Sequence, residues 1–112
     1  MLYRRLFTEL IMALSKLEIS QLLGTYSALL TDKQRAALNL YCDCDCSLSE
    51  IADELGISRQ GVRDAIVKGE KTLTRFEEAL HLSKFTAACA KALAENDMQA
   101  VVTTVNNFVV KE

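Results

Sequence analysis

The residue pattern over residues 48–65 constrains the fold of this chain more than any other stretch. Two amphipathic segments flank a glycine, and the small or apolar positions are Ile51, Ala52, Leu55, Gly56, Ile57, Val62 and Ala65. An alanine lets two helices cross closely, and glycine readily takes the positive φ of the turn that joins them. The pattern therefore predicts a helix-turn-helix over about residues 47–66, with an ordinary helical hairpin as the alternative.

Helix signals continue on both sides of this motif. Proline is absent from the 112 residues and glycine occurs only four times, so the strongest breakers of helices are rare. Capping boxes, in which a Ser or Thr precedes a Glu or Gln by three positions, begin at Ser15, Thr31 and Ser47. Further N-caps are indicated at Ser58, Ser83 and Asn96. We expect an all-α fold in which additional N- and C-terminal helices flank the helix-turn-helix, within a single helical domain of residues 1–112.

Apolar periodicity predicts which faces these helices bury. The second helix of the motif is long, and its apolar face is Val62, Ala65, Ile66, Gly69, Leu73, Phe76 and Leu80. Two more apolar faces recur within residues 85–93 and 98–109. The β-branched run of residues 101–105 could form a strand by propensity, but the cap and the spacing favour a helix. The helix that follows Thr31 is expected to reach about Tyr41 and to bury Ala37, Leu38 and Tyr41.

The second helix of the motif carries the candidate binding residues. In a helix-turn-helix the N-terminal part of this helix meets base edges. The residues at that position are Ser58, Arg59, Gln60, Arg63 and Asp64. Arginine suits guanine and glutamine suits adenine through bidentate hydrogen bonds. Lys68 and Lys71 lie further along and suit phosphates, as do Lys33 and Arg35 on the preceding helix. The alternative is a solvated helix face that binds nothing.

The charge distribution supports two different kinds of partner. The net charge of −2 argues against a generic polyanion binder. Residues 58–75 nevertheless carry a local excess of cations, with Arg59, Arg63, Lys68, Lys71 and Arg75 against Asp64 and Glu70. Residues 43–57 carry no cation, and their acids are Asp43, Asp45, Glu50, Asp53 and Glu54. The basic stretch suits nucleic acid, whereas the acidic stretch would repel phosphate and attract a basic protein.

A distinctive order of segments spans residues 26–82: ALLTDKQR, then SLSEIADELGISRQGVRDAI, then EEALHL. This order resembles the YlxM family of small bacterial proteins and, more distantly, region 4 of sigma factors. The resemblance implies a sigma region-4-type helix-turn-helix, a regulatory role, and a part in the signal recognition particle pathway that rests on gene neighbourhood. Ser58, Arg59 and Gln60 match the family's SRQ, whereas Gly61 stands where the family pattern has alanine.

The partners that follow are DNA or the RNA of the signal recognition particle. In the alternative, the chain keeps the helix-turn-helix shape but acts as a protein-interaction module that contacts the particle's GTPase. A homodimer is a further option, because the apolar faces of residues 1–14 and 97–110 exceed what one small domain buries easily. The longest apolar run, residues 10–14, is far too short to span a membrane, and we expect a cytoplasmic protein.

The YCDCDCS stretch at residues 41–47 raises the question of a metal or thiol site. Cys42, Cys44 and Cys46 alternate there with Asp43 and Asp45. Zinc sites usually separate their paired cysteines by two to four residues, so this spacing fits them poorly. We interpret the stretch as a helix boundary with thiols at packing positions, and predict neither a metal nor a cofactor. The sequence contains no recognisable catalytic motif, and we expect the protein not to be an enzyme.

Overall fold

The computed structural model describes residues 16–110, and every regular element within this range is helical. Its α-helices are α1 over residues 16–26, α2 Asp32–Leu38, α3 Leu48–Leu55, α4 Arg59–Leu80, α5 Leu82–Ala94 and α6 Met98–Val109. The all-α fold is thereby confirmed, including a helix over residues 101–105. The predicted cap at Ser15 and the apolar face of residues 1–14 lie outside the described residues. Within the described range, no helix is long and apolar enough to cross a membrane.

The capping boxes at Thr31 and Ser47 form as predicted. At the start of α2, Thr31 Oγ1 accepts a hydrogen bond from Gln34 N at 3.1 Å, and Gln34 Oε1 accepts one from Thr31 N at 3.2 Å. At the start of α3, Ser47 and Glu50 exchange the equivalent bonds at 3.2 and 3.0 Å. Each box satisfies backbone N–H groups that the helix itself leaves without partners, so both helix starts are fixed locally.

The chain leaves α2 through a π-helical turn over Asn39–Asp43. The predicted helical extent to about Tyr41 is confirmed, but the hydrogen bonds are of the wider type, with Cys44 N donating to Asn39 O at 3.2 Å. Only 8% of the Tyr41 surface is exposed. The wider turn therefore places this tyrosine in the core before the chain continues to α3.

By their internal contacts the residues form two compact units, the first ending at Arg75 and the second beginning at Phe76. That both belong to one domain stays a prediction of the sequence. The first unit has an apolar core, made by Ile19, Leu23, Tyr26, Leu30, Ala37, Leu38, Tyr41, Ile51, Ala52, Val62, Ala65, Ile66 and Leu73. The predicted burial of Ala37, Leu38 and Tyr41 is confirmed, as is the inward face of α4 as far as Leu73.

A very close contact in this core joins α2 and α4. Gly69 is buried, and a Cβ atom added to it would lie 2.6 Å from Leu38 Cδ1 and 3.6 Å from Gln34 Cβ. Leu38 has no exposed surface, so its side chain has little room to move aside in a close-packed interior. Glycine at position 69 thus allows α4 to approach α2 more closely than a residue with a side chain would.

The start of α5 differs from the predicted N-cap at Ser83. α5 begins at Leu82, and a side chain of the preceding helix caps it. The Glu77 carboxylate accepts hydrogen bonds from Ser83 N at 3.0 Å and from Lys84 N at 3.1 Å. The prediction is wrong because a carboxylate from α4 satisfies N–H groups that a local serine was expected to satisfy. The apolar face of α4 is also shorter than predicted, since Leu80 is 47% exposed.

The junction of α5 and α6 is displaced by one residue from the predicted cap at Asn96. Asn96 has a φ of 53° and ends α5, where Asp97 N donates to Ala92 O at 2.9 Å. This is the bond of a Schellman motif, and asparagine tolerates the left-handed conformation better than most residues. The N-cap of α6 is Asp97, whose Oδ1 accepts from Ala100 N at 3.0 Å.

In the second unit α5 packs against α6. The rings of Phe85 and Phe108 stack with their centroids 4.2 Å apart, and Ala92 is buried. This packing joins the two apolar faces that the periodicity predicts. Part of α6 nevertheless stays exposed, with 57% of the Val102 surface and 71% of the Val109 surface open to solvent.

Candidate nucleic-acid interface

The turn of the helix-turn-helix forms where the sequence predicts it. Gly56 has a φ of 66° and a ψ of 35°, a left-handed conformation that costs other L-residues about 1–2 kcal/mol. A hydrogen bond from Ile57 N to Ala52 O at 3.1 Å closes the turn and satisfies a carbonyl at the end of α3. Because α4 begins two residues later, at Arg59, this turn sets the direction of α4 relative to α3.

Ser58 begins α4 as its N-cap. Its Oγ accepts a hydrogen bond from Gly61 N at 3.0 Å. A Cβ atom on Gly61 would lie 3.2 Å from the same Oγ, so glycine leaves this cap slightly more room than the alanine of the family pattern. Ser58 therefore uses its side-chain oxygen to cap α4, and its hydroxyl hydrogen stays available for a phosphate.

The predicted binding residues lie on the exposed side of α4. The buried face of the helix consists of Val62, Ala65, Ile66, Gly69 and Leu73. The exposed candidates are Arg59, Gln60, Arg63, Lys68 and Lys71, and steps of three and four residues place them along the solvent side of the helix. The four cations among them form no ion pair with any residue in the range 16–110, where the ion pairs join Lys16 to Asp45 and Arg35 to Asp32.

Val67 belongs to this surface although it is not among the binding residues predicted from the sequence. Its side chain is 43% exposed, and it lies one helical turn after Arg63 and one before Lys71. An apolar group at such a position can contact the methyl group of thymine in the major groove. The spacing of the buried face passes through Ile66 and Gly69 and omits Val67. This apolar residue outside the buried face is the signal that could have identified it from the sequence.

Gln60 is held by a neighbour one turn further along α4. Its Nε2 donates a hydrogen bond to Asp64 Oδ1 at 3.0 Å, and both residues are exposed. The carboxylate fixes which end of the amide faces it, because only the NH₂ group can donate. Asp64 is thus an acidic member of an otherwise basic surface.

Arg35 is used by the fold rather than by this surface. Its Nε donates to Ser27 O at 3.0 Å, its Nη2 donates to Leu30 O at 3.1 Å, and its Nη1 pairs with Asp32. The guanidinium therefore closes the turn that precedes α2, and three of its five N–H groups are used there rather than for a phosphate. Lys33 is exposed on α2, and its contact with a phosphate stays a prediction.

The two aspartates of the YCDCDCS stretch tie it to α1. Asp45 Oδ1 pairs with Lys16 Nζ at 2.9 Å, and Asp43 Oδ1 accepts a hydrogen bond from Ser20 Oγ at 2.6 Å. Lys16 Nζ also lies 4.2 Å from the centre of the Tyr41 ring. The stretch is therefore a packed connection between α2 and α3, in agreement with its interpretation as a helix boundary.

The thiols of Cys42 and Cys46 are held in their protonated form. Burial, with the negative charges of Glu70 and Asp43, raises the pKa of Cys42 to about 11. Burial and the charge of Glu50 also raise the pKa of Cys46. Because the thiolate is the reactive and metal-binding form, both thiols are poor ligands at neutral pH. Among residues 16–110, no three His, Cys, Asp or Glu side chains are grouped so that they could hold a metal ion.

The burial of Glu70 on α4, near the YCDCDCS stretch, can be tested by measuring how stability depends on pH. Burial raises the pKa of Glu70 in the folded protein, so the folded state binds a proton at this carboxyl more tightly than the unfolded state does. The resulting stabilisation is complete below the pKa of the unfolded state and is lost as the pH rises through the pKa of the folded state. We expect Glu70→Gln to raise the melting temperature at about pH 7 and to change it little at about pH 3, where the acid is protonated in both states. Circular-dichroism melts measure both. Glu78→Gln, at an exposed acid of the same helix, is the control and should show no such pH-dependent gain.

Comparison with known proteins identifies the family. The family model UPF0122, whose description names a helix-turn-helix protein, "YlxM / p13 like", matches residues 14–107. The chain belongs to the UPF0122 family. The resemblance of residues 26–82 to the YlxM family is thereby confirmed, and the UPF0122 match also covers α1, α5 and most of α6.

Similar UPF0122 proteins come from several bacteria. One from Mycoplasma capricolum is 52% identical over 68 residues, which are 61% of this chain and 60% of the relative. One from Clostridium botulinum is 46% identical over 67 residues, or 60% of this chain and 62% of the relative. One from Streptococcus pyogenes serotype M5 is 54% identical over 57 residues, or 51% and 50%. The matched part thus spans 50% to 62% of the length of these UPF0122 relatives.

Proposed function

We propose that this chain is a regulatory protein that binds duplex DNA through the exposed face of α4. The observation that carries the proposal is the row of cations on the second helix of a helix-turn-helix: Arg59, Arg63, Lys68 and Lys71. None of them is neutralised by an acid within residues 16–110, so all are available to phosphates. The net charge of −2 is compatible with this function because phosphates respond mainly to charges within a Debye length.

In this proposal the first turns of α4 read bases and its middle holds the DNA backbone. A helix fits the major groove, and the N-terminal residues of a recognition helix reach base edges. Arg59 and Arg63 suit the O6 and N7 atoms of guanine, and Gln60 suits adenine. Lys68 and Lys71 suit phosphates, which position the protein without reading sequence. Ser58 caps the helix and offers its hydroxyl hydrogen to a phosphate.

Salt dependence tests the proposal directly. If two to four cations neutralise phosphates, log K falls with log salt concentration at a slope of about −2 to −4. We expect this slope for random duplex DNA in a fluorescence-anisotropy titration, and expect Lys68→Ala and Lys71→Ala each to make it shallower by about 1. Lys91→Ala, at an exposed lysine of α5, is the matched control and should leave the slope unchanged. Failure to bind any duplex at low salt would contradict the proposal.

A second candidate is a protein-interaction module, and the exposed acids of α3 favour it. Asp53 and Glu54 are exposed, and neither pairs with a cation in the described part of the chain. They would attract a basic surface of the GTPase of the signal recognition particle, the partner that the family resemblance implies. Glu50 is unsuitable for a test because its carboxylate caps α3. Nuclease-resistant binding to the purified GTPase that Asp53→Lys and Glu54→Lys abolish would favour this candidate over DNA.

A homodimer remains part of the proposal. The exposed apolar side chains of α6, among them Met98 at 66%, Val102 at 57% and Val109 at 71%, support it. A second copy would bury them and would match a palindromic DNA site, since symmetric dimers bind symmetric half-sites. Light scattering across a dilution series should show a mass that doubles with concentration. A monomer at all concentrations would contradict the dimer and leave DNA binding by a single α4 untouched.

A further inference from the structure

We propose, on the basis of the DNA-binding function above, that Asp64 is a positioning residue that orients the Gln60 carboxamide to read adenine. Gln60 Nε2 donates to Asp64 Oδ1 at 3.0 Å, within the first turns of α4. The bonded amide keeps its Oε1 and its second N–H group, which are an acceptor and a donor. Adenine presents the matching donor at N6 and acceptor at N7 in the major groove. The pair therefore presents an adenine-reading group before DNA arrives.

The orientation matters because a glutamine amide can otherwise turn over. Rotation about the last side-chain torsion exchanges the oxygen and the NH₂ group, and that torsion is broad and roughly two-fold. The reversed amide would set its oxygen against N7 of adenine and its N–H against the N6 amino group, so both contacts would be lost. A carboxylate accepts only from the NH₂ end of Gln60 and thereby excludes the reversed state. A side chain ordered before binding also loses less freedom when it binds.

Asp64 also weakens binding to any DNA. Of the two acids in residues 58–75, Glu70 is half-buried, whereas Asp64 is exposed among the cations. Lys68 lies one turn beyond Asp64, a spacing that suits an ion pair, yet the pair is absent within residues 16–110. The carboxylate therefore orders Gln60 and repels phosphates at the same time. Both effects raise the ratio of specific to non-specific binding, which decides occupancy among many competing sites.

A purely structural pair would behave differently. Polar pairs one turn apart stabilise a helix slightly, so loss of such a pair would change stability and leave base preference alone. Two substitutions separate the roles of Asp64. Asp64→Asn removes the charge but keeps a side-chain oxygen that can accept from Gln60, whereas Asp64→Ala removes both.

The experiment selects duplexes bound by the wild-type chain from a random pool and then replaces each A·T pair of the selected site by G·C. Fluorescence anisotropy gives Kd for every duplex. We expect an A·T position whose replacement weakens wild-type binding by about 5- to 100-fold but leaves the binding of Gln60→Ala almost unchanged. Asp64→Ala should lose this discrimination and bind unselected DNA more tightly. Asp64→Asn should also bind unselected DNA more tightly but keep most of the discrimination. Glu78→Gln is the control elsewhere on α4 and should change neither.

The proposed function and this inference fail in distinguishable ways. A wild-type chain that binds no duplex at low salt, or that binds RNA alone, contradicts the DNA-binding function and overturns the inference with it. A wild-type chain that selects DNA while Asp64→Ala keeps the full adenine preference overturns the positioning role alone, as does a selected site without a Gln60-dependent position. The melting curves of the Gln60 and Asp64 variants should stay close to those of the wild type, because the side chains of Gln60 and Asp64 are exposed.

Discussion

Gly69→Leu is expected to lower the free energy of unfolding by about 1–3 kcal/mol, because the contact between α2 and α4 has no space for a side chain. Even the first carbon of that side chain would lie 2.6 Å from Leu38 Cδ1 and 3.5 Å from Leu38 Cγ. Leucine forms helices better than glycine by up to about 1 kcal/mol, so intrinsic propensity opposes the expected loss. A net loss of stability therefore reports the clash. Urea unfolding followed by circular dichroism measures it.

Gly24→Ala is the matched control for this substitution. Gly24 lies in α1, where an added Cβ meets no heavy atom within 4 Å. The gain in helix propensity then acts without a clash, and we expect stabilisation by about 0.5–1 kcal/mol. Wild-type stability in Gly69→Leu would mean that α4 does not need this close approach to α2, and the described packing would be wrong.

Leu38→Ala is expected to have the largest effect, a loss of about 2–5 kcal/mol, because Leu38 is fully buried and its removal leaves a cavity. The effect of Gly69→Ala on stability should depend on residue 38: the substitution should lower stability in the wild-type chain and raise it in the Leu38→Ala chain. With Leu38 present, the added methyl group clashes; in the Leu38→Ala background its nearest remaining neighbour is Gln34 Cβ, at an ordinary 3.6 Å. A double-mutant cycle should give a coupling of about 0.5–3 kcal/mol. Additive effects of the two substitutions would contradict direct contact between these positions.

Sequence reasoning predicts the fold correctly where the deciding bond is local. The capping boxes at Thr31 and Ser47 involve residues only three positions apart, and both form. The turn at Gly56 requires only a residue that accepts a positive φ, and glycine supplies it. The buried face of α4 as far as Leu73 follows from helical spacing alone. These features need no knowledge of the remaining chain.

The errors occur where another helix supplies or changes the bond. Ser83 has the composition of an N-cap, but the Glu77 carboxylate occupies the N–H groups at the start of α5. Asn96 and Asp97 both suit caps, and the ending of α5 decides which residue caps α6. The predicted burial of Tyr41 is correct, but helical spacing does not specify that the turn of Asn39–Asp43 is π-helical.

The residues of the candidate site show the same difference between features set by local spacing and features set by tertiary structure. Exposure on α4 follows from spacing, so Arg59, Gln60 and Arg63 could be named from the sequence. The bond between Gln60 and Asp64 depends on side-chain rotamers, which spacing does not specify. The commitment of Arg35 to the carbonyls before α2 depends on tertiary structure in the same way. Sequence therefore indicates which residues can face a ligand, and the structure shows which of them are already bonded.

The left-handed backbone at Gly56 makes the position of the exposed α4 surface depend on the chirality of a single residue. At a φ of 66° the favoured residue is one of the opposite hand, because left-handed backbone is strained for L-residues and relaxed for D-residues. A chemically synthesised chain with D-alanine at this position should hold the turn more stably than glycine does, since the unfolded chain has less freedom to lose, and L-alanine should destabilise it. The direction of α4, and of every cation along it, thus depends on the absence of an L-configured side chain at one backbone position.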